Sequence, residues 1–376
     1  MSKGYFKLGY IPELDGLRGI AILAVMAFHG NAPFLRGGFI GVDVFFVLSG
    51  FLITSLLISE FDRFGTISFK NFYMRRVLRL APALILLLLV FCLASFALLD
   101  TEIAKSNYVD ALISLTYLSN WARAFSIHPP DFLAHTWSLS IEEQFYVLWP
   151  LILSVLLSGL RKRRHVVLIA VSIALLSWSL RIYLSMKAAP PGRLYNGLDT
   201  RADALMVGCA LGIILSSGLV GEAAKARLQK ILVVGAPFSV VCLLAFAVFS
   251  RWTSPWMYYG GFFIVELLTV ALVLDILMNP QSVIRKILAM RGLVWAGTVS
   301  YGLYLWHYPI YRTMSAIGFH NWTVPALGSL LTVIVAALSY YGLERPMLRL
   351  KKHFAQPNTG IKPASGTLSG AEAANS

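Results

Sequence analysis

Arg18 and His29 carry the first chemical signal in this sequence. They lie in "LDGLRGIAILAVMAFH", where every residue from Ile20 to Phe28 is apolar. Eleven helical residues turn through about 1,100°, three turns plus about 20°, so the two share one face about 16 Å apart along the axis. Asp15 falls on nearly the same face, one turn from Arg18. Ionisable groups inside a membrane helix are costly and usually face a bundle interior or an aqueous cavity. A lone histidine there is more often a core residue bonded to a carbonyl, but the co-facial arginine favours function. A neutral imidazole in that position could take a proton from a hydroxyl.

Further stretches add groups of the right kind. In "GFIGVDVFFVLSGFLIT", Asp43 follows His29 across a short loop and is expected to orient the imidazole through one ring nitrogen. Gly37, Gly38, Gly41 and the Ser49-Gly50 pair there read as close helix packing. In "FYMRRVLRLAPAL", Arg76 and Arg79 are three apart on one face, with Arg75 beside them. Paired guanidiniums suit phosphate, although basic residues at helix ends also bind lipid headgroups. "HTWSLSIEEQFYVLWP" offers Trp137, Tyr146 and two carboxylates, Glu142 and Glu143. The carboxylates point 100° apart, so one at most faces a narrow site. Arg201 and Asp203 in "TRADALMVGCALG" read as an ion pair or part of a binding groove. Ser300, Tyr304 and His307 share a face of "VSYGLYLWHYPIY", a helix that Pro309 should kink. Cys92, Cys209 and Cys242 lie in apolar runs without metal-type spacing, so neither a zinc site nor a disulfide framework is expected.

These groups need a membrane scaffold. Of the 376 residues, 57% are hydrophobic and only 13% charged, and the mean hydropathy is +0.71. That excludes an ordinary soluble domain. The first apolar run follows charged residues, lacks a small-residue cleavage site and reads as a retained helix. The apolar runs predict an all-α polytopic membrane protein of about ten helices, roughly 11–31, 38–59, 77–99, 140–160, 165–185, 201–219, 230–249, 258–278, 294–317 and 323–343. With the chain threaded through these spans, 23 of the 32 Lys and Arg fall on the side of the N-terminus. The positive-inside rule then puts both termini in the cytoplasm. The same topology accounts for the net charge of +14 without nucleic acid. Residues 1–349 form the transmembrane domain, and 350–376 read as a disordered cytoplasmic tail. The longest outer connection, Asp100 to Thr136, reads as a partly helical interfacial segment with room for a lid.

Together the quoted stretches, with "YYGLERP", resemble the integral-membrane acyltransferase family 3. They run in family order from residue 11 to about 346. The resemblance implies transfer of an acyl group, commonly acetyl, from cytoplasmic acyl-CoA to a hydroxyl of an extracytoplasmic or lipid-linked glycan. O-antigen and exopolysaccharide are the first acceptors to consider, and a macrolide-like natural product is the alternative. The family's basic residue, ten spacers and essential histidine fall on Arg18 and His29. Its Arg-x-x-Arg pattern falls on Arg76 and Arg79, and its glutamate falls on Glu142, four residues after Ser138. Asp43 would complete the catalytic set. Arg75 would join Arg76 and Arg79 at the donor phosphates. Tyr146, Trp137, Arg201, Asp203, Tyr304 and His307 would support the acceptor.

The resemblance implies a multi-pass protein of the bacterial inner membrane. Its partners are membrane lipid, acyl-CoA and the glycan, with no nucleic acid, no metal and no permanently bound cofactor. Many relatives add an extracytoplasmic hydrolase-like domain. Without one, the membrane unit is expected to act alone or with a separate partner protein. The rival from another class is a proton-coupled transporter, against which stands the lack of an internal repeat.

Overall fold

The apolar runs become helices because a backbone surrounded by lipid must satisfy its own polar groups. A computed structural model describes residues 9–350 and Phe354, and among these there is no strand. In chain order the helices are α1 (Pro12–His29), α2 (Gly41–Phe64), α3 (Phe69–Leu98), α4 (Thr101–Leu115), α5 (Ser119–Ala124), α6 (Thr136–Gly159), α7 (Arg163–Met186) and α8 (Pro191–Asn196). They continue with α9 (Leu198–Ser216), α10 (Glu222–Phe249), α11 (Phe262–Met278), α12 (Val283–Leu288), α13 (Arg291–Thr298), α14 (Ser300–Ala316), α15 (Thr323–Ser339) and α16 (Arg345–Arg349). Short π-helical turns at Met257–Gly261 and Tyr340–Glu344 lead into α11 and α16. Apart from Leu350 and Phe354, the expected tail lies outside the described residues.

Among the described residues, seven helical segments are long and apolar enough to cross a membrane: those built on α2, α3, α6, α7, α10, α11 and α15. This is the architecture of a multi-pass membrane protein. Three of the ten expected spans fall short of that measure for physical reasons. Helix α1 carries Glu13, Asp15 and Arg18, and α9 carries Asp199, Arg201 and Asp203. The expected span 294–317 is two helices, α13 and α14, divided at Val299, and α14 has only 17 residues. The short or charged helices are those that carry much of the candidate chemistry.

Burial sorts the helices into an inner and an outer set. The apolar stretch of α2 is 78% buried, against 22–28% for α3, α7, α10 and α15. Along α3, Leu89, Leu93 and Phe96 point outward, as a lipid-facing surface requires. Helix α2 packs against α9 at backbone contact. A methyl group on Gly50 would strike the Leu205 carbonyl, and one on Gly208 would strike the Val47 carbonyl. Small residues of this kind let membrane helices approach closely. Helix α1 meets α12 and α13 in the same way, through Gly16, Gly19 and Gly297.

Candidate active site

The polar face of α1 opens into two separate cavities, one toward each end. The inner one, near the start of α1, has a volume of about 450 Å³ and is lined by Arg18, Arg76, Arg79, Glu142 and Tyr146. Helix α3 brings Arg76 and Arg79 to one face, as their spacing predicts. The Arg76 guanidinium lies 4.8 Å from the Tyr146 ring centroid. Glu142 accepts a hydrogen bond from Ser49 Oγ at 2.6 Å, and Tyr146 donates to the same Ser49 oxygen at 3.1 Å. Ser49, read from sequence as packing, therefore holds a carboxylate that lines this cavity. Of the two glutamates, Glu142 lines this cavity and Glu143 does not. Arg18 lies 3.8 Å from Asp15. Arg18 and Arg79 also line an adjoining space of about 320 Å³, with Asp15 and Glu344.

Arg75 departs from its expected place. It pairs with Glu60 at 3.4 Å, donates to the Phe354 carbonyl at 2.8 Å and does not line the inner cavity. One residue of offset on α3 turns it 100° from Arg76.

The outer cavity, at the other end of α1, measures about 510 Å³. His29 lines it, together with His135, Trp137, Tyr195, Trp252 and Tyr308. The Asp100–Thr136 connection supplies one wall through Arg123 and the segment from Pro129 to His135. That segment is anchored on α4, where Asp110 accepts from the Asp131 amide at 3.2 Å and lies 3.0 Å from His128 Nε2. Burial pushes the Asp110 carboxyl above its ordinary range, opposed by the Asp131 amide and by His128. His29 Nδ1 lies 2.8 Å from His307 Nε2. The edge of Tyr308 meets the His29 ring at 4.9 Å between centroids.

Tyr304 and Val42 line both cavities. The Tyr304 hydroxyl donates to the His135 carbonyl at 2.8 Å and lies 2.6 Å from Ser138 Oγ. The expected polar stripe is thus present on α1, but its two ends serve different chambers.

Asp43 does not hold His29. It is fully buried and accepts from Arg201 Nη2 at 2.6 Å. Its position in the first turn of α2 turns it toward α9 and away from α1. Nor do Arg201 and Asp203 pair with each other. Asp203 pairs with Arg181 of α7, also at 2.6 Å and with both side chains fully buried. Two parallel ion pairs therefore tie α2 to α9 and α9 to α7. The Arg201 guanidinium rests 4.1 Å from the Phe262 ring centroid. Neither Arg201 nor Asp203 lines a described cavity.

Sequence reasoning does not single out His135, Arg181 or Tyr308. Arg181 interrupts an apolar run, a signal that could have found it. His135 opens a quoted stretch, but nothing local marks it as functional.

Comparison with known proteins identifies the family. Residues 11–341 match the family described as "Acyltransferase domain", acyltransferase family 3. The chain is 36% identical over 348 residues to the peptidoglycan O-acetyltransferase OatA of Listeria monocytogenes, covering 90% of this chain and 56% of the relative. It is also 36% identical over 355 residues to YrhL of Bacillus subtilis, a candidate peptidoglycan O-acetyltransferase, covering 90% and 55%. A candidate O-acetyltransferase of Staphylococcus aureus is 36% identical over 356 residues, covering 91% and 58%. The chain spans somewhat over half the length of these curated relatives. No solved structure matches it. With a family match across nearly its whole length and its motifs gathered around two cavities, the chain belongs to the acyltransferase family 3.

Proposed function

We propose that this chain is a membrane O-acyltransferase that moves an acetyl group from acyl-CoA, bound on the cytoplasmic side, to a hydroxyl of a glycan outside. The observation that carries the reading is the division of labour between two cavities that share a wall. One holds three arginines and the other holds His29. Arginine forks suit the phosphates of a coenzyme A donor. The pantetheine arm would run past Arg18 toward Tyr304, bringing the thioester to His29. Glu142, fixed by Ser49, would balance the arginine charge along that route.

His29 would act as general base, which is worth typically 10² to 10⁴-fold. The acceptor oxygen attacks the thioester carbon, the imidazole takes its proton, and the C–S bond breaks. The thiolate then recovers the proton. Trp137, Tyr195, Trp252 and Tyr308 give the outer cavity apolar faces against which a sugar ring can lie, and Arg123 and Asn196 add polar groups. Relatives named for peptidoglycan favour a cell-wall glycan over O-antigen. In this reading both termini are cytoplasmic, the ten-segment threading holds, and the membrane is the bacterial cytoplasmic membrane. The Asp100–Thr136 connection is a lid over the acceptor. A separate protein outside the membrane could relay the acetyl group further.

The test is transfer by the full chain reconstituted in vesicles, with radiolabelled acetyl-CoA on one side. A soluble β-1,4-linked N-acetylglucosamine oligosaccharide is supplied on the other. Labelled ester and free thiol should appear together, and His29→Ala should abolish both. No thiol release, or release unchanged in His29→Ala, defeats the reading.

A further inference from the structure

The histidine pair behind the outer cavity fixes more than a contact. His307 Nδ1 lies 3.1 Å from the Leu303 carbonyl oxygen. A carbonyl has no proton to give, so His307 Nδ1 must carry one. A neutral imidazole has only one ring proton, which leaves His307 Nε2 as a bare lone pair. His29 Nδ1, 2.8 Å away, must then be the donor. His29 in turn has its single proton on Nδ1, and its Nε2 is the free lone pair.

A doubly protonated His307 would reverse this order, but it would bury a cation. Buried charges require a partner. Among the described residues, no carboxylate forms an ion pair with His29, His135 or His307. His307 is fully buried and lines neither cavity, so it stands behind His29 and out of reach of a substrate.

We propose that His307 is the positioning residue of this site. It fixes the tautomer and ring plane of His29, so that Nε2 takes the proton of the incoming hydroxyl. The inference rests on the reading of His29 as the base. As the acceptor oxygen bonds to the thioester carbon, its proton passes to His29 Nε2. When the C–S bond breaks, that proton goes to the thiolate and His29 returns to neutral. Throughout, His29 Nδ1–H stays bonded to His307 Nε2. A carboxylate fills this place in the Ser-His-Asp arrangement. Here a neutral ring does so, and its own orientation comes from a helix carbonyl. That spares the membrane interior a fixed negative charge.

Two variants separate positioning from packing. His307→Gln keeps an acceptor and a donor, whereas His307→Phe keeps bulk and removes both. With acetyl-CoA and the oligosaccharide, His307→Phe should lower kcat by about 10² to 10³-fold, within the range of a misdirected base. Its KM for acetyl-CoA should stay within about twofold, since the arginine cavity is untouched. His307→Gln should recover about tenfold or more of the loss. Equal losses in both variants, following a common fall in melting temperature, would overturn the proposal. So would full activity in His307→Phe while His29→Ala is inactive, and then the base reading of His29 would survive alone. Activity in His29→Ala would remove both. Independently of turnover, nitrogen-15 spectra of histidine-labelled protein, assigned by difference with His29→Ala, should find His29 protonated at Nδ1 and bare at Nε2. The opposite tautomer overturns the proposal.

Discussion

Tyr304 and Ser138 meet at 2.6 Å where the two cavities adjoin. The Tyr304 proton goes to the His135 carbonyl, so Ser138 is the donor in this bond. The ring thus closes the wall between the arginine side and the histidine side. In the proposed reaction, the thioester reaches His29 only once this ring moves.

Tyr304→Phe removes both hydroxyl bonds but keeps the ring. It should cost about 1–3 kcal/mol of stability, by the usual worth of two hydrogen bonds. It should also raise thiol release from acetyl-CoA when no acceptor is present. Tyr304→Ala should raise that background further, because the wall itself is gone. Background hydrolysis at or below the unaltered level in both variants would mean that Tyr304 is no barrier.

Arg76→Ala and Arg79→Ala should each weaken acetyl-CoA binding by about 10- to 100-fold, the worth of one charge-assisted contact. Turnover at saturation should change less. Arg75→Ala is the internal comparison. Its side chain is engaged by Glu60 and the Phe354 carbonyl, so affinity should stay within about twofold. Titration calorimetry with CoA on the three variants checks this, and a uniform loss would favour lipid headgroups as the partners of this basic cluster.

Asp43→Asn should behave as a folding defect. It strips the fully buried Arg201 of its carboxylate, a change that costs about 3–5 kcal/mol in buried pairs. The double variant Asp43→Leu with Arg201→Met should regain much of the melting temperature, because apolar replacement of a buried pair is often neutral. Activity should return with it. A well-folded double variant that stays inactive would restore Asp43 to the reaction.

Threading of the chain is checked by labelling. With Cys92, Cys209 and Cys242 replaced, a cysteine at Gly159 should react only with reagent on the cytoplasmic side. One at Asp131, 62% exposed, should react only from outside. Reaction of both from one face would reject the proposed orientation.

Much of this arrangement was legible in the sequence, and the rest was hidden for a definite reason. Helical periodicity tells which residues share a face. It therefore related Arg18 to His29 and Arg76 to Arg79, and it separated Glu142 from Glu143. Periodicity says nothing about which neighbour a face meets. Asp43 seemed to belong to His29 because the two are close along the chain, yet the tight α2–α9 contact at Gly50 and Gly208 hands it to Arg201. His307, 278 positions beyond His29, could not be paired with it from spacing. The single long helix expected at 294–317 failed at Val299, where hydrophobicity continues but the helix does not.

The shared wall has an electrical consequence. In the proposed orientation, with one chamber open to each side of the membrane, the side chains shared by the two cavities form a thin septum that would sustain the membrane voltage. Most of the potential drop then falls across Tyr304, Val42 and their neighbours instead of across the full bilayer thickness. Any movement of a charged group past that septum would be sensitive to voltage, whereas a neutral acetyl thioester would cross it without electrical work. In the proposed reaction, a two-carbon group would change sides without carrying charge through the membrane.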